Sequence, residues 1–333
     1  MNQEIILSIT IPTYNRVKFL ETTVSTFVKQ IVEGGLEQEV EIVIGNDAPN
    51  DTQTADYLKK IAGQYPFIRT ITHLKNVGVS ANIEAIFNLA KGKFIWGFGE
   101  DDLITDGAIK KVLAVIKDKD PNIILLNTIN ITSLDDRNVQ YKLWGKNRLA
   151  ITQDVFVESL TGGQAALAPI KNWLYLSNLI SSVVFRKEIF VTEMSEAKKY
   201  LRPENVYLFQ APLLIGLAKR GRLLLVADRL VLHRKNENHW SDKTSGLFTI
   251  NLYDASEAVK VVKEYLPSEY KAYQKIFAVH TFATIKKSKR QGESALRPTL
   301  DAIKKYYSCF PYSLRFFLAL VSPAAVFKYI IRS

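Results

Sequence analysis

Apolar residues occur in short, nearly continuous runs over the first part of the chain, and longer stretches with helical spacing lie between them. The runs are Ile5–Ile11, Val40–Gly45, Phe94–Phe98 and Ile123–Asn127, and a further strand is predicted at Ile68–His73. Such runs are typical of strands covered on both faces, whereas apolar residues three or four positions apart indicate amphipathic helices. The alternation predicts a βαβ series, and therefore an α/β fold with a mainly parallel sheet flanked by helices.

The helices of this series are predicted at Val17–Gln30, Thr54–Gln64, Val79–Ala90 and Gly107–Lys117. After residue 127 the pattern is less regular, and it predicts a helix at Leu208–Lys219 followed by two short strands at Leu223–Val226 and Leu230–Leu232. From residue 252 onward the pattern is helical. We therefore expect three segments, residues 1–127, 128–245 and 246–333, of which the last is a C-terminal helical extension.

Polar loops follow the predicted strands at Pro12–Arg16, Asn46–Asp51, Leu74–Gly78 and Gly99–Asp102. Ligands of parallel sheets bind beyond the carboxyl ends of the strands, where these loops lie. The last loop contains three adjacent carboxylates, which repel one another unless a cation or a donor-rich ligand lies among them. Oxygen ligands of this kind suit Mg²⁺ or Mn²⁺. The alternative is an acidic turn that stabilises the N-terminus of the next helix.

The net charge of +11 is concentrated at the C-terminus, since residues 275–333 contain 11 Lys or Arg and 2 Asp or Glu. No nucleic-acid recognition motif accompanies this charge, so we expect no nucleic-acid partner. The single cysteine, Cys309, excludes an intramolecular disulfide and a Cys-rich metal site. The N-terminus lacks the basic region of a signal peptide, and no apolar run approaches the roughly 20 residues of a membrane span, which indicates a cytoplasmic protein.

Four ordered motifs resemble those of a known family. They are Ser8–Arg16, Ile42–Asp47, Asn76–Asn82 and Glu100–Asp102. Together they resemble the family-2 glycosyltransferases of the GT-A fold, and the resemblance extends over residues 5–240. It implies a GT-A-type sheet with a nucleotide-sugar-binding half at 1–127 and an acceptor-binding half at 128–245. The stretch Tyr207–Gln210 looks like the abequosyltransferase-type branch of this family.

The resemblance implies a nucleotide-diphosphate-sugar donor and a divalent cation, Mn²⁺ or Mg²⁺. Carried over position by position, it assigns donor binding to Pro12, Thr13, Tyr14, Arg16, Asp47, Asn76 and Asp101. Asp47 would accept a hydrogen bond from the base, because a carboxylate can bind a pyrimidine N–H. The implied metal ligands are Asp102, Asp101 and His233, with Asp102 as the main ligand. The sequence departs from the family at Asn46 and Glu100, where aspartate is usual.

The general base is less clearly indicated. Inverting members of the family carry an acidic residue at the start of the helix that precedes a glycine such as Gly221. The usual spacing leads to Phe209 and Gln210, neither of which accepts a proton readily. Glu204 lies a few residues earlier and is the nearest candidate, although an acidic residue at a helix N-terminus explains it equally well.

The implied activity is transfer of a sugar to an acceptor hydroxyl on a saccharide or lipid-linked saccharide, in cell-surface polysaccharide or lipopolysaccharide synthesis. A nucleotidyltransferase or a non-catalytic nucleotide-sugar-binding protein are the alternatives. In the basic extension, Lys286–Arg290 and the amphipathic stretch Arg315–Phe327 favour binding to an anionic membrane surface. The inner face of the cell membrane is then the expected location. The alternative for these helices is packing on the enzyme or on a second subunit of a homo-oligomer.

Overall fold

The structure is a computed structural model. It describes residues 4–135, 140–144, 149, 151–160, 179–200, 210–234, 258–271 and 273–274 of the chain. The candidate base Glu204 lies outside the described residues. The same holds for Lys286–Arg290 and Arg315–Phe327, so the proposed membrane-binding stretches remain predictions.

Ten strands form one sheet in the described part of the chain. In chain order they are β1 (Leu7–Thr13), β2 (Val40–Asn46), β3 (Ile68–Thr72), β4 (Phe94–Gly97), β5 (Leu103–Ile104), β6 (Ile123–Asp135), β7 (Gln140–Trp144), β8 (Val155–Val157), β9 (Val183–Arg186) and β10 (Leu223–Arg234). Their spatial order is β3-β2-β1-β4-β9-β6-β10-β5, with β7 beside β6 and β8 beside β10. The first four strands in this order pair in parallel, as the βαβ alternation predicts.

Helices cover both faces of the sheet. They are α1 (Val17–Gly34), α2 (Thr52–Gln64), α3 (Val79–Leu89), α4 (Ala108–Lys119), α5 (Lys187–Ala197), α6 (Gln210–Arg220) and a helical segment α7 at 258–265. One hydrophobic cluster joins α1, α2 and α4 to Ile42 and Ile44 of β2. A second cluster joins α3, α5, α6 and α7 to Val43, which points to the opposite face. The predicted α/β architecture is therefore confirmed. No helix in the described ranges combines the length and apolar character needed to cross a membrane.

The parallel series ends at β4, and this differs from the sequence-based expectation for Ile123–Asn127. That run begins the longer strand β6, which is separated from β4 by β9. Because β9 is antiparallel to both neighbours, the second half of the sheet is mixed. Local periodicity does not reveal this pairing, since β9 lies more than 50 residues further along the chain.

The last strand, β10, is also longer than predicted. The two short strands expected at Leu223–Val226 and Leu230–Leu232 form one strand with an irregular register between Val226 and Val231. Its final part pairs with β5, a two-residue strand that the sequence pattern did not predict. This pairing places Leu232 opposite Leu103, and it therefore brings the end of β10 next to the three carboxylates that precede β5.

Candidate active site

A cavity of about 230 Å³ lies at the carboxyl ends of β1 and β2. Five of the seven predicted donor-binding residues line it, namely Pro12, Thr13, Tyr14, Asp47 and Asn76. Glu100 lines the same cavity, although the family resemblance does not assign it to donor binding. The loops that follow separate strands thus meet at one place, as parallel strand ends require.

Asp47 fixes the loop on one side of this cavity. Its Oδ1 accepts a hydrogen bond from the backbone N–H of Val77 at 2.7 Å, and its Oδ2 accepts one from Gly78 at 2.9 Å. Gly78 has φ +86°, a backbone conformation that favours glycine. A carboxylate offers about four acceptor positions, so Asp47 retains acceptor capacity for a further N–H while it holds the loop.

Asn82 forms part of the cavity wall from α3. Its Nδ2 donates a hydrogen bond to the carbonyl of Gly45 at 2.8 Å, and its Oδ1 lies 3.1 Å from Nε2 of His73. A Cβ at Gly45 would lie 2.2 Å from Asn82 Oδ1, closer than nonbonded atoms can approach. Glycine at this position therefore allows α3 to pack directly against the end of β2.

The three carboxylates of Glu100–Asp102 have protein donors around them. The Arg16 guanidinium lies 2.9 Å from Asp101 Oδ2 and 3.4 Å from Glu100 Oε1. The backbone N–H of Tyr14 donates to Glu100 Oε2 at 3.2 Å. The Arg16 guanidinium, from the loop after β1, thus compensates part of the negative charge of these three adjacent carboxylates.

Burial also changes the charge state of this loop. Desolvation raises the pKa of Glu100 to about 8, although the nearby Arg16 guanidinium acts in the opposite direction. Near neutral pH, Glu100 is therefore mostly protonated, and the loop carries about two negative charges rather than three.

Asp102 is almost completely buried, with 2% of its surface exposed. Its Oδ1 lies 2.9 Å from Nδ1 of His233 and accepts the backbone N–H of Arg234 at 3.1 Å. Its Oδ2 accepts a hydrogen bond from the Ser181 hydroxyl at 2.5 Å. Desolvation opposes ionisation, but His233 and these hydrogen bonds keep the pKa of Asp102 below its ordinary value.

The guanidinium groups of Arg16 and Arg234 both pack against the same aromatic ring. Their Cζ atoms lie 4.7 Å and 5.1 Å from the ring centroid of Phe19 in α1. Such cation–π contacts stabilise a guanidinium while leaving its N–H groups available for carboxylates. Phe19 therefore packs against two guanidinium groups, of which that of Arg16 pairs with Asp101 of the acidic loop Gly99–Asp102.

Asp101, Asp102 and His233 are side chains of the types that bind Mg²⁺ or Mn²⁺, but both carboxylate oxygens of Asp102 already have protein partners. Mg²⁺ sites commonly combine one or two carboxylates with phosphate oxygens, and imidazole is an accepted ligand for Mn²⁺. In the described ranges, no three His, Cys, Asp or Glu side chains converge to form a metal centre from protein ligands alone. A cation here would thus depend on phosphate oxygens for several of its ligands.

Several residues that contact this site were not among the predicted site residues, including Phe19, Thr23 and Ser181. A weak signal exists for Thr23, because it is a polar residue on the face of α1 that otherwise buries Leu20, Val24 and Phe27. Ser181 lies in the short 3-10 turn Ile180–Ser182 just before β9 and carries no signal of its own. Its contact with Asp102 arises only from the insertion of β9 beside β4.

Comparisons with known proteins identify a family for this fold. The family model described as glycosyl transferase family 2 matches residues 8–181. Among curated relatives, glycosyltransferase GlyG of Streptococcus pneumoniae is 23% identical over 235 residues, which cover 69% of this chain and 71% of GlyG.

Solved structures resemble the chain in fold. S. aureus TarS in complex with UDP-GlcNAc has a TM-score of 0.63 at 14% identity, and the match covers 92% of this chain and 82% of the TarS chain. Mannosyltransferase PcManGT from Pyrobaculum calidifontis, in complex with GDP-Man and Mn²⁺, has a TM-score of 0.55 at 12% identity, with coverages of 98% and 83%. These likenesses confirm the predicted GT-A-type fold.

Proposed function

The chain belongs to glycosyl transferase family 2, and we propose that it binds a nucleotide-diphosphate-sugar in the cavity beside β1 and β2 and transfers the sugar to an acceptor hydroxyl. The observation that carries this proposal is the position of the cavity. It lies between the Asp47-anchored loop and the acidic loop, so a nucleotide in it would direct its diphosphate towards Glu100–Asp102. GlyG, TarS and PcManGT support the reaction class by their names and bound ligands.

The nucleoside would be held by the residues that line the cavity. Tyr14 is 45% exposed, and its ring is available for contact with a base. Asp47 would accept an N–H of that base through its remaining lone pairs, while its backbone partners keep the carboxylate in place. Asp101, which adjoins the cavity through Glu100, would contact the ribose or the cation.

The diphosphate would lie where positive and negative groups of this chain meet. Asp102, Asp101 and His233 would hold Mn²⁺ or Mg²⁺, which neutralises charge on the departing diphosphate when it is bound. The N–H groups of Arg16 would contribute a second positive charge near the same position. The protein contacts of Asp102 would keep this carboxylate ionised and oriented throughout.

For the acceptor, we propose that residues 128–245 bind a saccharide or lipid-linked saccharide and that the reaction inverts the anomeric centre. Glu204 remains the proposed base, which would remove the proton of the acceptor hydroxyl. The extension at 246–333 is proposed to attach the protein to the anionic inner face of the cell membrane. Cell-surface polysaccharide or lipopolysaccharide synthesis is the process that these assignments suggest.

A binding panel tests the donor assignment. Thermal unfolding would be measured with a set of nucleotide sugars and nucleoside diphosphates, each with Mn²⁺ and with EDTA, because a ligand that binds the native state raises Tm. We expect one nucleotide class to raise Tm in the wild type and to lose this effect in Asp47→Ala. No shift with any nucleotide would contradict the proposal.

A substitution at the acidic loop tests the metal assignment separately. Donor hydrolysis by Asp102→Asn would be compared with the wild type in the presence of Mn²⁺ or Mg²⁺. We expect a loss of at least about 100-fold, since the amide removes both a ligand charge and an acceptor oxygen. Full activity in this variant would exclude Asp102 as the main metal ligand.

A further inference from the structure

Two buried hydroxyl groups from distant parts of the chain hold the acidic loop Gly99–Asp102. The hydroxyl of Thr23 in α1 lies 2.8 Å from the carbonyl oxygen of Glu100 and 2.9 Å from that of Asp102. The hydroxyl of Ser181 donates to Asp102 Oδ2 at 2.5 Å and accepts the backbone N–H of Gly99 at 2.9 Å. Both side chains are fully buried, so water does not compete for these hydrogen bonds.

The two hydroxyls act on different parts of the loop. Thr23 binds carbonyl oxygens on either side of Asp101 and thereby fixes the backbone curvature. Ser181 joins the first residue of the loop to the carboxylate of the last one. Inside the loop, one backbone hydrogen bond links Asp102 N to the carbonyl of Gly99 at 3.3 Å. That single long bond leaves the loop backbone weakly constrained from within, whereas the two hydroxyls connect it to α1 and to the segment before β9.

We propose that Thr23 and Ser181 are positioning residues of the active site, which hold the acidic loop in the geometry that the donor diphosphate requires. The expected effect on catalysis rests on the proposed function. The structural part, that the two hydroxyls hold the acidic loop in place, does not depend on the proposed function. Both hydroxyls are buried, and each would act on a substrate only through the loop residues that it contacts, Gly99, Glu100 and Asp102. Displacements of about 1 Å at reacting groups reduce rates by on the order of 100-fold, so loss of either hydroxyl has a measurable effect.

The variants that test this proposal remove the hydroxyl and preserve the shape. Thr23→Val replaces the hydroxyl by a methyl group, and Ser181→Ala removes it. Thr26 and Ser182 provide matched controls, because their hydroxyls donate to the carbonyls of Thr23 and Leu179. Thr23→Ser retains the hydroxyl and serves as the conservative rescue.

Hydrogen exchange provides the readout that is independent of catalysis. A peptide covering residues 97–104 would be followed by mass spectrometry in each variant. We expect at least about 10-fold faster exchange of this peptide in Ser181→Ala and Thr23→Val, with wild-type rates elsewhere in the sheet. Thr26→Val, Ser182→Ala and Thr23→Ser are expected to exchange like the wild type. Unchanged exchange in both test variants would overturn the proposal, and so would faster exchange throughout the protein.

The second readout is catalytic turnover. The substrate is the nucleotide sugar that raises the Tm of the wild type most in the binding panel. We expect kcat to fall about 10- to 100-fold in Thr23→Val and Ser181→Ala, with Tm close to that of the control variants and with Thr23→Ser near wild type. Wild-type kcat in both test variants would overturn the catalytic part of the proposal. A wild-type protein that turns over no donor would instead refute the proposed function, and the exchange experiment would still decide whether the hydroxyls hold the loop.

Discussion

Replacement of Arg16 by methionine is the perturbation that most clearly tests how the acidic loop is stabilised. The Arg16 side chain is 17% exposed, and its partners Glu100 and Asp101 are 5% and 11% exposed. Removal of one member of a buried ion pair costs about 3–5 kcal/mol, and exposed pairs contribute about 0–1 kcal/mol. Because Glu100 is mostly protonated at neutral pH, Asp101 loses the most stabilisation.

We therefore expect Arg16→Met to lower the free energy of unfolding by about 2 kcal/mol. Methionine preserves most of the apolar contact with Phe19, so the loss reflects the charge and its hydrogen bonds. Urea denaturation followed by circular dichroism measures this difference. Combination with Asp101→Asn should recover about 1 kcal/mol or more of the loss, because the neutral amide no longer needs the guanidinium.

Arg69→Met is the matched control. Arg69 is partly exposed and pairs with the buried Glu41 at 3.3 Å, at the opposite end of β2 from the cavity. We expect a comparable loss of stability from this variant but unchanged binding of nucleoside diphosphate, whereas Arg16→Met should weaken that binding at least about 10-fold. A stability loss below about 0.5 kcal/mol in Arg16→Met would refute the reasoning, since the carboxylates would then not depend on this cation.

Three further predictions follow from the site. Gly45→Ala should destabilise the protein by about 1–3 kcal/mol because its Cβ would overlap Asn82 Oδ1, whereas Gly63→Ala, which meets no neighbouring atom, should stabilise α2 by about 0.5–1 kcal/mol in the same denaturation assay. Asp47→Ala should release the loop before α3, measured as faster amide exchange at Val77. Ionisation of Glu100 is unfavourable in the folded state, because its pKa is raised there to about 8. The free energy of unfolding of Glu100→Gln should therefore exceed that of the wild type by an amount that grows as pH rises from about 4.5 to about 8. The gain should be nearly absent at about pH 4, below that window, and constant at about pH 9, above it, in denaturation experiments at these two pH values.

Much of the donor half was predictable because its signals are local. The first four predicted strands, the α/β architecture and the meeting of Tyr14, Asp47 and Asn76 at one cavity follow from periodicity and from the rule for parallel strand ends. The acidic loop was identified because its three adjacent carboxylates follow an apolar run at a predicted strand end, where ligands of a parallel sheet bind.

The rest depends on contacts between residues far apart in the chain. Ser181 reaches Asp102 because β9 inserts beside β4, and His233 reaches it because β10 pairs with the unpredicted strand β5. Arg16 was predicted to contact the donor, yet its pairing with Asp101 and Glu100 depends on side-chain geometry that no motif specifies. Hydrophobic periodicity gives no information about such pairings.

Phosphorus NMR of the reaction mixture tests the central claim most directly. The protein would be incubated with Mn²⁺ in two mixtures. One contains nucleotide sugars and an acceptor, and the other contains nucleoside triphosphates and sugar phosphates. Asp102→Asn is the control in both. The proposed function predicts release of a nucleoside diphosphate from one nucleotide sugar, with this signal strongly reduced in the control variant. Release of pyrophosphate from a triphosphate, or binding of nucleotide sugars without any diphosphate release, would contradict it.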